Sequence, residues 1–373
     1  MGRECIEVID NGDGIRQSDF PNLCQPHSTS KIHNFDDLSQ LMTFGFRGEA
    51  LSSLCLLSDV TIHTRSADSS TGYKLVFNNL GRLDSQSPLA RGQGTTISLN
   101  NLFHTVPVRH KILSDSSSGH VSKEFSHALF MITSYCIALA DVQIACYKAD
   151  PKQSLFKLII SNGQSKTVQQ NIINIFGPTI KEELLALDEC SQISPDVIEE
   201  FQLESEEISK EIVHISGFIS KPNTGDATKF GRSSSDRQFV FVNSRPCDMP
   251  KVNKLVTTLW RRCARESLLE INCQMPQRSL SNKFPFLAIF INLAKDAFDV
   301  NVCPDKRRLL FHHENLILAH TKTAVSSTLS RVCGSQQPRH SIDDQSFIQP
   351  VTEETIQTYS PVAAQQRLAT SDA

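Results

Sequence analysis

Apolar and polar residues alternate over much of the first half of the chain, and a period of two predicts β-strands. The chain opens with an apolar edge at Ile6, Val8 and Ile9. Four later segments alternate in the same way: 58–66, 73–78, 82–86 and 94–100. The run 78–81 (Asn-Asn-Leu-Gly) predicts a hairpin. The stretch 21–50 predicts a long loop with one short helix, and such a loop is usually functional or mobile.

From Glu124 onward, apolar residues recur every three or four positions, which predicts a helix. The acidic segment 191–210 is predicted to be a solvated excursion. The remaining pattern predicts strands at 142–147, 154–160, 212–220, 237–243 and 285–293, a strand and turn at 298–305, and helices at 250–268 and 313–332.

Composition divides the chain into three parts. At 373 residues it has room for two domains, each with a sizeable core. The composition shifts near 176–178 (Phe-Gly-Pro), and beyond Cys333 it turns to Ser, Gln, Pro and Thr with few apolar residues. We therefore predict one domain over 1–172, a second over 173–333, and a disordered linker or tail over 334–373.

Bulk composition limits the possible functions. The chain is 39% hydrophobic and 21% charged, and no run of about 18 apolar residues predicts a membrane span. Its 11 cysteines are scattered singly without zinc spacing, and we interpret them as buried or unreactive thiols in a reducing compartment. Because the net charge is −3, any surface for DNA must be local.

The first candidate site is Asp10-x-Gly12-x-Gly14, directly after a predicted strand. A carboxylate at a strand end can accept a hydrogen bond from the exocyclic amine of adenine, and glycines let the backbone approach a ligand closely. A loop rich in Asp and Gly is more often a plain turn or a calcium-like loop. The motif alone therefore leaves nucleotide binding open.

The second candidate is the pair of segments 27–31 (His-Ser-Thr-Ser-Lys) and 45–51 (Gly-Phe-Arg-Gly-Glu-Ala-Leu). The glycines around Arg47 precede a helix-forming run, so this segment can present several N–H groups to phosphate oxygens. Hydroxyl groups and a cation in the first segment can add to it. The alternative is a helix start that binds nothing. The sequence holds no GxxxxGK[ST], so a P-loop is excluded.

Two further segments carry candidate residues. Gly94-Thr95-Thr96-Ile97 opens a strand, and its threonine hydroxyl can help to read the edge of a base. Far downstream, 301–306 (Asn-Val-Cys-Pro-Asp-Lys) places Lys306 at the end of a proline-fixed turn, where it can reach a γ-phosphate. Most exposed lysines have no such role.

Taken together and in this order, the four segments resemble the GHKL ATPases, and GFRGEALSSLC, HSTSK and VNVCPDK are specific to the MutL mismatch-repair proteins. GRSSSDRQFVFVNSRPCD resembles the eukaryotic post-meiotic-segregation branch. The resemblance covers roughly 5–332. It implies an α/β (α+β) fold: a GHKL sandwich, in which a mixed sheet carries helices on one face, followed by an α/β domain like domain 2 of ribosomal protein S5.

The resemblance also implies an ATPase with ATP and Mg²⁺ as cofactors. Asp10, with the glycines that follow it, would bind the adenine amine, Thr95 would lie near the base, and Lys306 would touch the γ-phosphate in the catalytic step. The implied ATP-binding residues are Asp10, Gly12, Gly14, Thr29, Ser30, Lys31, Gly45, Arg47, Gly48, Glu49, Ala50, Leu51 and Thr95.

Two family features are missing from the sequence, and we expect a chain truncated at both ends. MutL proteins carry, before the adenine-binding aspartate, a helix with the general-base glutamate and, four residues later, the Mg²⁺-binding asparagine. Only nine residues precede Asp10 here, and Glu7 and Asn11 belong to a strand and a turn. We expect weakened nucleotide binding and largely lost hydrolysis. The family's C-terminal endonuclease region is missing too, so no nuclease activity is expected.

Positive charge is concentrated in the second half, as non-specific binding to the backbone of double-stranded DNA requires. The alternative for each residue is a solvated helix face. The resemblance further implies a second MutL homologue as heterodimer partner, action after a MutS-type mismatch-recognition complex, and a nuclear location. The candidate DNA-binding residues are Arg237, Arg245, Lys251, Lys254, Arg261 and Arg262, where Arg245 matches a DNA-contacting arginine of the family.

Three functions follow from these observations. The first is the ATP- and DNA-binding half of a mismatch-repair clamp. The second is a non-catalytic adaptor or truncated product that binds DNA or a MutL partner without ATP turnover. A third, another GHKL enzyme such as a chaperone or topoisomerase, is disfavoured by the segments 45–51 and 301–306.

Overall fold

The fold was analysed in a computed structural model. It describes the chain between residues 2 and 333 with gaps. The described residues are 2, 4–29, 45, 48–115, 119–139, 141–149, 155–161, 163, 165, 167–188, 192–210, 213–222, 231–270, 280–294, 297–299, 302 and 307–333. The predicted tail at 334–373 lies outside them.

A first sheet of five antiparallel strands is built from the alternating segments of the first hundred residues. Its order is β1-β5-β2-β3-β4, so β1 and β4 are edge strands. The predicted hairpin at 78–81 joins β3 to β4, and Gly81 there has a φ of 71°. The strands are β1 Cys5–Asp10, β2 Asp59–Arg65, β3 Gly72–Phe77, β4 Leu83–Leu89 and β5 Gly94–Asn100.

One face of this sheet carries a small core. Val60, Ile62 and Leu75 point to that face and pack with Phe20 and Cys55. Phe20 belongs to a short 3-10 helix, Gln17–Asn22, and Cys55 belongs to helix α1, Ala50–Leu57. These two helices lie at the borders of the segment 21–50. The short helix expected within it stays a prediction, because residues 30–44, 46 and 47 lie outside the described part of the chain.

A second sheet is mixed, with the order β11-β10-β12-β9-β8. Among its strands only β10 and β12 pair in parallel. The long helix α8, Pro250–Glu270, lies between them in sequence and allows the crossover. A tight turn at Asn243 and Ser244, both at positive φ, returns β10 into β11. The strands are β8 Leu184–Ala186, β9 His214–Ser220, β10 Gln238–Val242, β11 Arg245–Cys247 and β12 Leu287–Asn292.

Both faces of the second sheet are covered. All five residues of β10 are buried, and their side chains alternate between two cores, as expected for a central strand with helices on each side. Phe239 and Phe241 pack with Ile137 and Ile172, whereas Val240 and Val242 join the larger core formed with the long helices. The strand predicted at 237–243 is thus present as β10, Gln238–Val242.

The helices divide between these two faces. α3 and α4 lie on the side of Phe239, and the ring of Phe130 in α3 stacks on it at 5.0 Å between centroids. α8 and α9 lie on the other side. The helices after α1 are α2 Pro107–Ser114, α3 His120–Ala138, α4 Val168–Phe176, α5 Ile180–Glu183, α6 Pro195–Glu200, α7 Ser205–Lys210, α8 Pro250–Glu270 and α9 Glu314–Cys333.

Two short two-stranded sheets complete the described fold. β6 Ala145–Ala149 pairs with β7 Leu155–Ile160, and β13 Phe298–Asp299 pairs with β14 Leu310–Phe311. The predicted boundary at residue 172 stays a prediction. The packing of α3 on the second sheet is nevertheless a contact that crosses it.

Two segments differ from their predictions. The acidic segment 191–210 forms the short helices α6 and α7, and Val197 and Leu203 are buried in the larger core. The pattern failed there because only two apolar residues of α6, Val197 and Ile198, and one of α7, Ile208, reach the core. α2 was not predicted, and none of its residues is buried. In the part of the chain that the structure describes, no helix is long and apolar enough to cross a membrane.

Candidate functional site

The carboxylate of Asp10 is fixed at the end of β1. Its Oδ1 accepts hydrogen bonds from the N–H groups of Gly12 at 2.9 Å and Thr95 at 3.2 Å. The side chain remains exposed, and among the described residues none donates to its Oδ2. This arrangement orients a carboxylate oxygen that is available to an external N–H group, such as the amine of adenine.

Two buried threonines hold the base of this turn. Thr64 and Thr95 lie opposite each other on β2 and β5, with 3.2 Å between their Oγ1 atoms. The Thr64 hydroxyl also accepts a hydrogen bond from the N–H of Ile15 at 3.0 Å, which ties the end of the Asp10 loop to the sheet. Thr64 was not predicted from the sequence. The sequence does carry one indication, because β2 and β5 each have a threonine near one end. The register places these two threonines opposite each other.

The glycines around Asp10 serve close packing between backbone segments. Gly14 has a φ of 73°, and an added Cβ would lie 2.0 Å from the carbonyl oxygen of Arg65. Gly94 has a φ of 119°, and its Cβ would lie 2.1 Å from the carbonyl oxygen of Asp10. Gly12 has an ordinary φ, and its Cβ would lie 3.1 Å from Oδ1 of Asp10. Two of the three glycines are thus required by the protein itself, whether or not a ligand approaches.

The two predicted phosphate segments are brought together. Gly48 has a φ of 63°, and an added Cβ would lie 2.3 Å from the carbonyl oxygen of Ser28. Next to it, Glu49 lies 3.6 Å from Nδ1 of His27, as measured to its Oε1. α1 begins at Ala50, so Gly48 and Glu49 stand at a helix start, with Thr29 half-buried in the neighbouring segment. The segment 27–29 therefore packs directly on the start of α1.

A pair of cysteines lies beneath these segments. Cys24 and Cys55 are 0% and 1% exposed, and a hydrogen bond joins their side chains. That contact and burial raise the pKa of the Cys24 thiol well above its usual range, while the same hydrogen bond lowers the pKa of Cys55. Cys24 precedes the segment 27–29 and Cys55 belongs to α1, so this contact also couples the two segments.

Part of the predicted site lies outside the described residues: Ser30, Lys31, Arg47 and Lys306. The remaining residues form two groups. The first contains Asp10, Gly12, Gly14 and Thr95, which contact one another or the strands beside them. The second contains Thr29, Gly45, Gly48, Glu49, Ala50 and Leu51, in the two segments around the start of α1.

Three of the predicted DNA-binding residues are engaged within the protein. Arg237 lies over the ring of Phe176 at 4.6 Å, and burial lowers the pKa of its guanidinium. Arg261 donates from Nε to the carbonyl oxygen of Lys283 at 2.8 Å. Lys251 forms an ion pair with Glu314. These contacts give all three residues a structural role.

The other predicted basic residues lie closer to solvent. Lys254 and Arg262 are exposed on α8, and so is Arg265. Their spacing of eight and three residues puts them on one stripe of the helix surface. Arg245 is half-buried in β11, where it pairs with Val242. Trp260, on the opposite side of α8, is fully buried and donates from Nε1 to the carbonyl oxygen of Ser220 at 2.8 Å, so it is a core residue.

The magnesium ion that the family resemblance implies would need oxygen ligands from the protein. Among the residues whose placement is described, no group of three or more His, Cys, Asp or Glu side chains could hold a metal ion. We therefore assign no residue of this chain to magnesium. The carboxylate of Asp10 fits a hydrogen-bonding role, since its Oδ1 already accepts two backbone N–H groups.

Comparison with known proteins places this geometry in context. Residues 172–330 match the family described as DNA mismatch repair protein, C-terminal domain. The mismatch repair endonuclease PMS2 of Homo sapiens is 37% identical over 343 residues, which cover 90% of this chain and 36% of that protein. The DNA mismatch repair protein PMS1 of Saccharomyces cerevisiae is 31% identical over 334 residues, covering 88% of this chain and 35% of that protein.

A solved structure is similar as well. The crystal structure of the N-terminal domain of a DNA repair protein is 28% identical, with a TM-score of 0.66, and the match covers 89% of this chain and 86% of that one. The mixed α/β fold with two sheets is thus shared with a domain from a DNA repair protein. The chain spans about a third of the length of the curated relatives that it matches.

Proposed function

The chain belongs to the MutL family of DNA mismatch-repair proteins, in its PMS1/PMS2 branch, and on this premise we propose that it binds ATP at Asp10 and DNA through its second sheet and α8. The single observation that carries the nucleotide site is the fixed Asp10 carboxylate, with Oδ1 engaged by two backbone N–H groups and Oδ2 facing no donor among the described residues. Oδ2 of Asp10 accepts a hydrogen bond from the amine of adenine.

Residues around the Asp10 carboxylate bind the other parts of the nucleotide. Thr95 lies near the base, and the hydrogen bond between its hydroxyl group and that of Thr64 fixes its position. The start of α1, with Gly48 and Glu49, lies beside Thr29 and presents backbone N–H groups to the phosphates. Ser30, Lys31, Arg47 and Lys306 add donors and positive charge to the same phosphates by the family resemblance. Lys306 contacts the γ-phosphate.

The proposed role is that of the nucleotide- and DNA-binding part of a mismatch-repair clamp. ATP binding orders the first sheet domain and favours pairing with a second MutL homologue, and the pair holds DNA after a MutS-type complex has recognised a mismatch. Action in the nucleus follows from the eukaryotic relatives. ATP hydrolysis is an activity of the family, and for this chain the proposal is limited to nucleotide and DNA binding, in line with the expected loss of hydrolysis.

The DNA contact is proposed for the exposed stripe of α8 and the neighbouring Arg245. Lys254 and Arg262 are exposed, and Arg265 extends the stripe. Basic side chains on one helix face bind phosphates of the backbone without reading sequence. Arg237, Lys251 and Arg261 support this surface through their internal contacts rather than by touching DNA.

The nucleotide proposal is tested by Asp10→Asn in the 373-residue chain. Asparagine keeps an oxygen for the Gly12 and Thr95 N–H groups but replaces the free oxygen by an NH₂ donor, which repels the adenine amine. We expect the Kd of a fluorescent ATP analogue to rise at least about tenfold, a loss of about 1.4 kcal/mol. The unaltered chain should also prefer ATP to GTP, and the variant should lose that preference.

The matched control is Asp68→Asn, because Asp68 is an exposed aspartate in the same domain with only a 3.9 Å ion pair to Arg16. It should bind the analogue like the unaltered chain. Equal affinity of Asp10→Asn and Asp68→Asn, with the fold intact by circular dichroism, would place adenine elsewhere and end the proposal.

A further inference from the structure

The face of the first sheet that points away from its core carries a second concentration of chemistry. Register places His63 on β2 opposite Lys74 on β3 and Thr96 on β5, and Thr96 opposite Ile9 on β1. Side chains alternate along a strand, so these residues point away from Thr64 and Thr95. The Asp10 carboxylate is tied to the Thr95 N–H, whereas this outer face is not used by the nucleotide proposal.

An open cavity of about 500 Å³ lies on this outer face, against the loop between β4 and β5. It is bordered by the backbone and side chains of the strand ends and of that loop. The polar residues that line it are Asp10, Asn11, His63, Arg91, Gln93 and Thr96, so the cavity borders the proposed adenine contact at Asp10. The volume is that of a small ligand or of a segment of a larger one.

Arg91 is held rigidly at the rim of the cavity. Its Nε donates to the carbonyl oxygen of Gly92 at 3.1 Å, and its Nη1 donates to the carbonyl oxygen of His63. Two backbone contacts fix the plane of the guanidinium, so binding a further acceptor at its remaining N–H groups costs little side-chain entropy. The half-buried Arg91 is therefore preorganised for an anion.

Two polar nitrogen atoms of this face lack a partner. Nε2 of His63 and Nε of Arg65 are buried and have no hydrogen-bond partner within the described part of the chain. Burial, with the charges of Lys74 and Arg91, lowers the pKa of His63, and only Glu7 acts in the opposite direction. Glu7 itself accepts a hydrogen bond from Ser98 at 2.8 Å. At His63, the positive charges of Lys74 and Arg91 therefore outweigh the negative charge of Glu7.

We propose that this outer face binds a phosphate group, with Arg91, Lys74 and His63 as its ligands. Phosphate presents several acceptor oxygens, and the face supplies a planar guanidinium, an ammonium and an imidazole N–H within one patch. Asn11, Gln93 and Thr96 surround the same cavity and add neutral donors. The phosphate comes either from the backbone of DNA or from a free phosphate compound.

The site can be tested through the imidazole of His63 in the full 373-residue chain. An anion beside it stabilises the charged form, so saturating ligand should raise the pKa of His63 by about half a unit or more, read from its ring Cε1–H NMR signal. Inorganic phosphate, ATP and a short DNA duplex are added in separate titrations. His320, whose pKa is lowered by burial in α9, is the internal reference and should not move.

A double variant, Lys74→Gln with Arg91→Gln, should abolish the shift of His63, whereas Arg82→Gln in the exposed turn between β3 and β4 should leave it intact. An unshifted His63 with all three ligands would overturn the proposal, as would a shift that persists in the double variant. The unchanged signal of His320 in each variant checks that the fold is retained.

Duplex binding separates the two sources of phosphate. If the ligand is DNA, the double variant should weaken duplex affinity by about fivefold or more at low salt. The salt slope should then decrease by roughly 0.9 for each phosphate that the variant no longer binds. If only inorganic phosphate or ATP moves His63, the site holds a free phosphate compound. Asp10→Asn changes neither Lys74 nor Arg91, and the double variant changes neither Asp10 nor Thr95, so failure of the nucleotide proposal and failure of this one are distinguishable.

Discussion

Gly92 and Gly94 lie two residues apart in the same loop, yet only Gly94 is required by the fold. An added Cβ at Gly94 would lie 2.1 Å from the carbonyl oxygen of Asp10, at a φ of 119°, whereas nothing lies within 4 Å of a Cβ at Gly92. We expect Gly94→Ala to lower the free energy of unfolding by about 2 kcal/mol or more, because the strain and the clash add. Urea unfolding measures the difference.

Gly92→Ala is the control and should change the free energy of unfolding by less than about 1 kcal/mol. The comparison also bears on function, since Gly94 supports the strand end that holds Asp10. If both variants were equally stable, the close approach of β5 to the Asp10 loop would not exist in solution.

At this scale, sequence identified Asp10 and Thr95 because both belong to recognisable motifs. It missed Thr64, since a threonine in a strand carries no signal until the register with β5 is known. The DNA-binding role of Arg237 and Arg261 stays a prediction, and the structure adds their contacts with Phe176 and the Lys283 carbonyl, which the sequence did not predict. Charge can be read from a sequence, but the internal partners of a charge depend on tertiary packing.

The long helices α8 and α9 pack together in the larger core, and a histidine is half-buried in α9. Burial lowers the pKa of His320 below its usual value of 6.5. The unfolded chain therefore binds a proton more readily than the folded one. Stability should fall as pH drops through 6.5 and below, and should rise with pH until both states are neutral.

His320→Gln should reduce this pH dependence, because glutamine does not titrate, and the lowered pKa of His63 contributes a part that remains. The measurement is the urea midpoint between pH 5 and pH 7.5, compared with His110→Gln, which removes an exposed histidine of α2. His110→Gln should keep the slope of the unaltered chain. A slope in His320→Gln equal to that of the unaltered chain would contradict the prediction, whatever the change in absolute stability.

Periodicity located most of the strands and the long helices because each exposes one side and buries the other. β1 and β4 are exceptions, since neither strand has a buried residue, although Val8 of β1 shares the core side of the sheet with Ile97 and Ile62. The short helices α6 and α7 also escaped the pattern. Val197 of α6 and Ile208 of α7 reach the core, but such side chains are too few for a period to be recognised.

For the whole molecule, the sequence predicts two α/β domains and the structure has two five-stranded sheets, but the way in which they are connected was not predicted. α3 follows β5 in sequence and packs on β10 and β11, so a segment assigned to the first predicted domain completes the core of the second. The packing of α3 depends on contacts between residues that are far apart in sequence, and no local sequence pattern predicts such contacts. The second sheet has a core on each face. Trp260 is fully buried in one of these cores and Ile137 in the other.

The molecule as a whole carries a net charge of −3, so DNA is repelled at long range and must be held by a local surface. Arg262 and Arg265 are exposed on α8, in the stripe proposed for DNA. Replacing both by glutamine should weaken binding to a duplex of any sequence. The slope of log Kd against log salt should also decrease by about 0.9 for each phosphate that the protein no longer binds.

Arg16→Gln with Arg82→Gln removes the same charge from exposed positions of the first sheet domain and is the matched control. If DNA responded only to net charge, both double variants would bind equally weakly, since each makes the chain more negative by two. A local surface instead requires the α8 variant alone to bind more weakly and with a shallower slope. Fluorescence anisotropy across a salt series separates these outcomes, because the slope reflects the number of phosphates bound, whereas a shift in net charge moves the affinity with little change of slope.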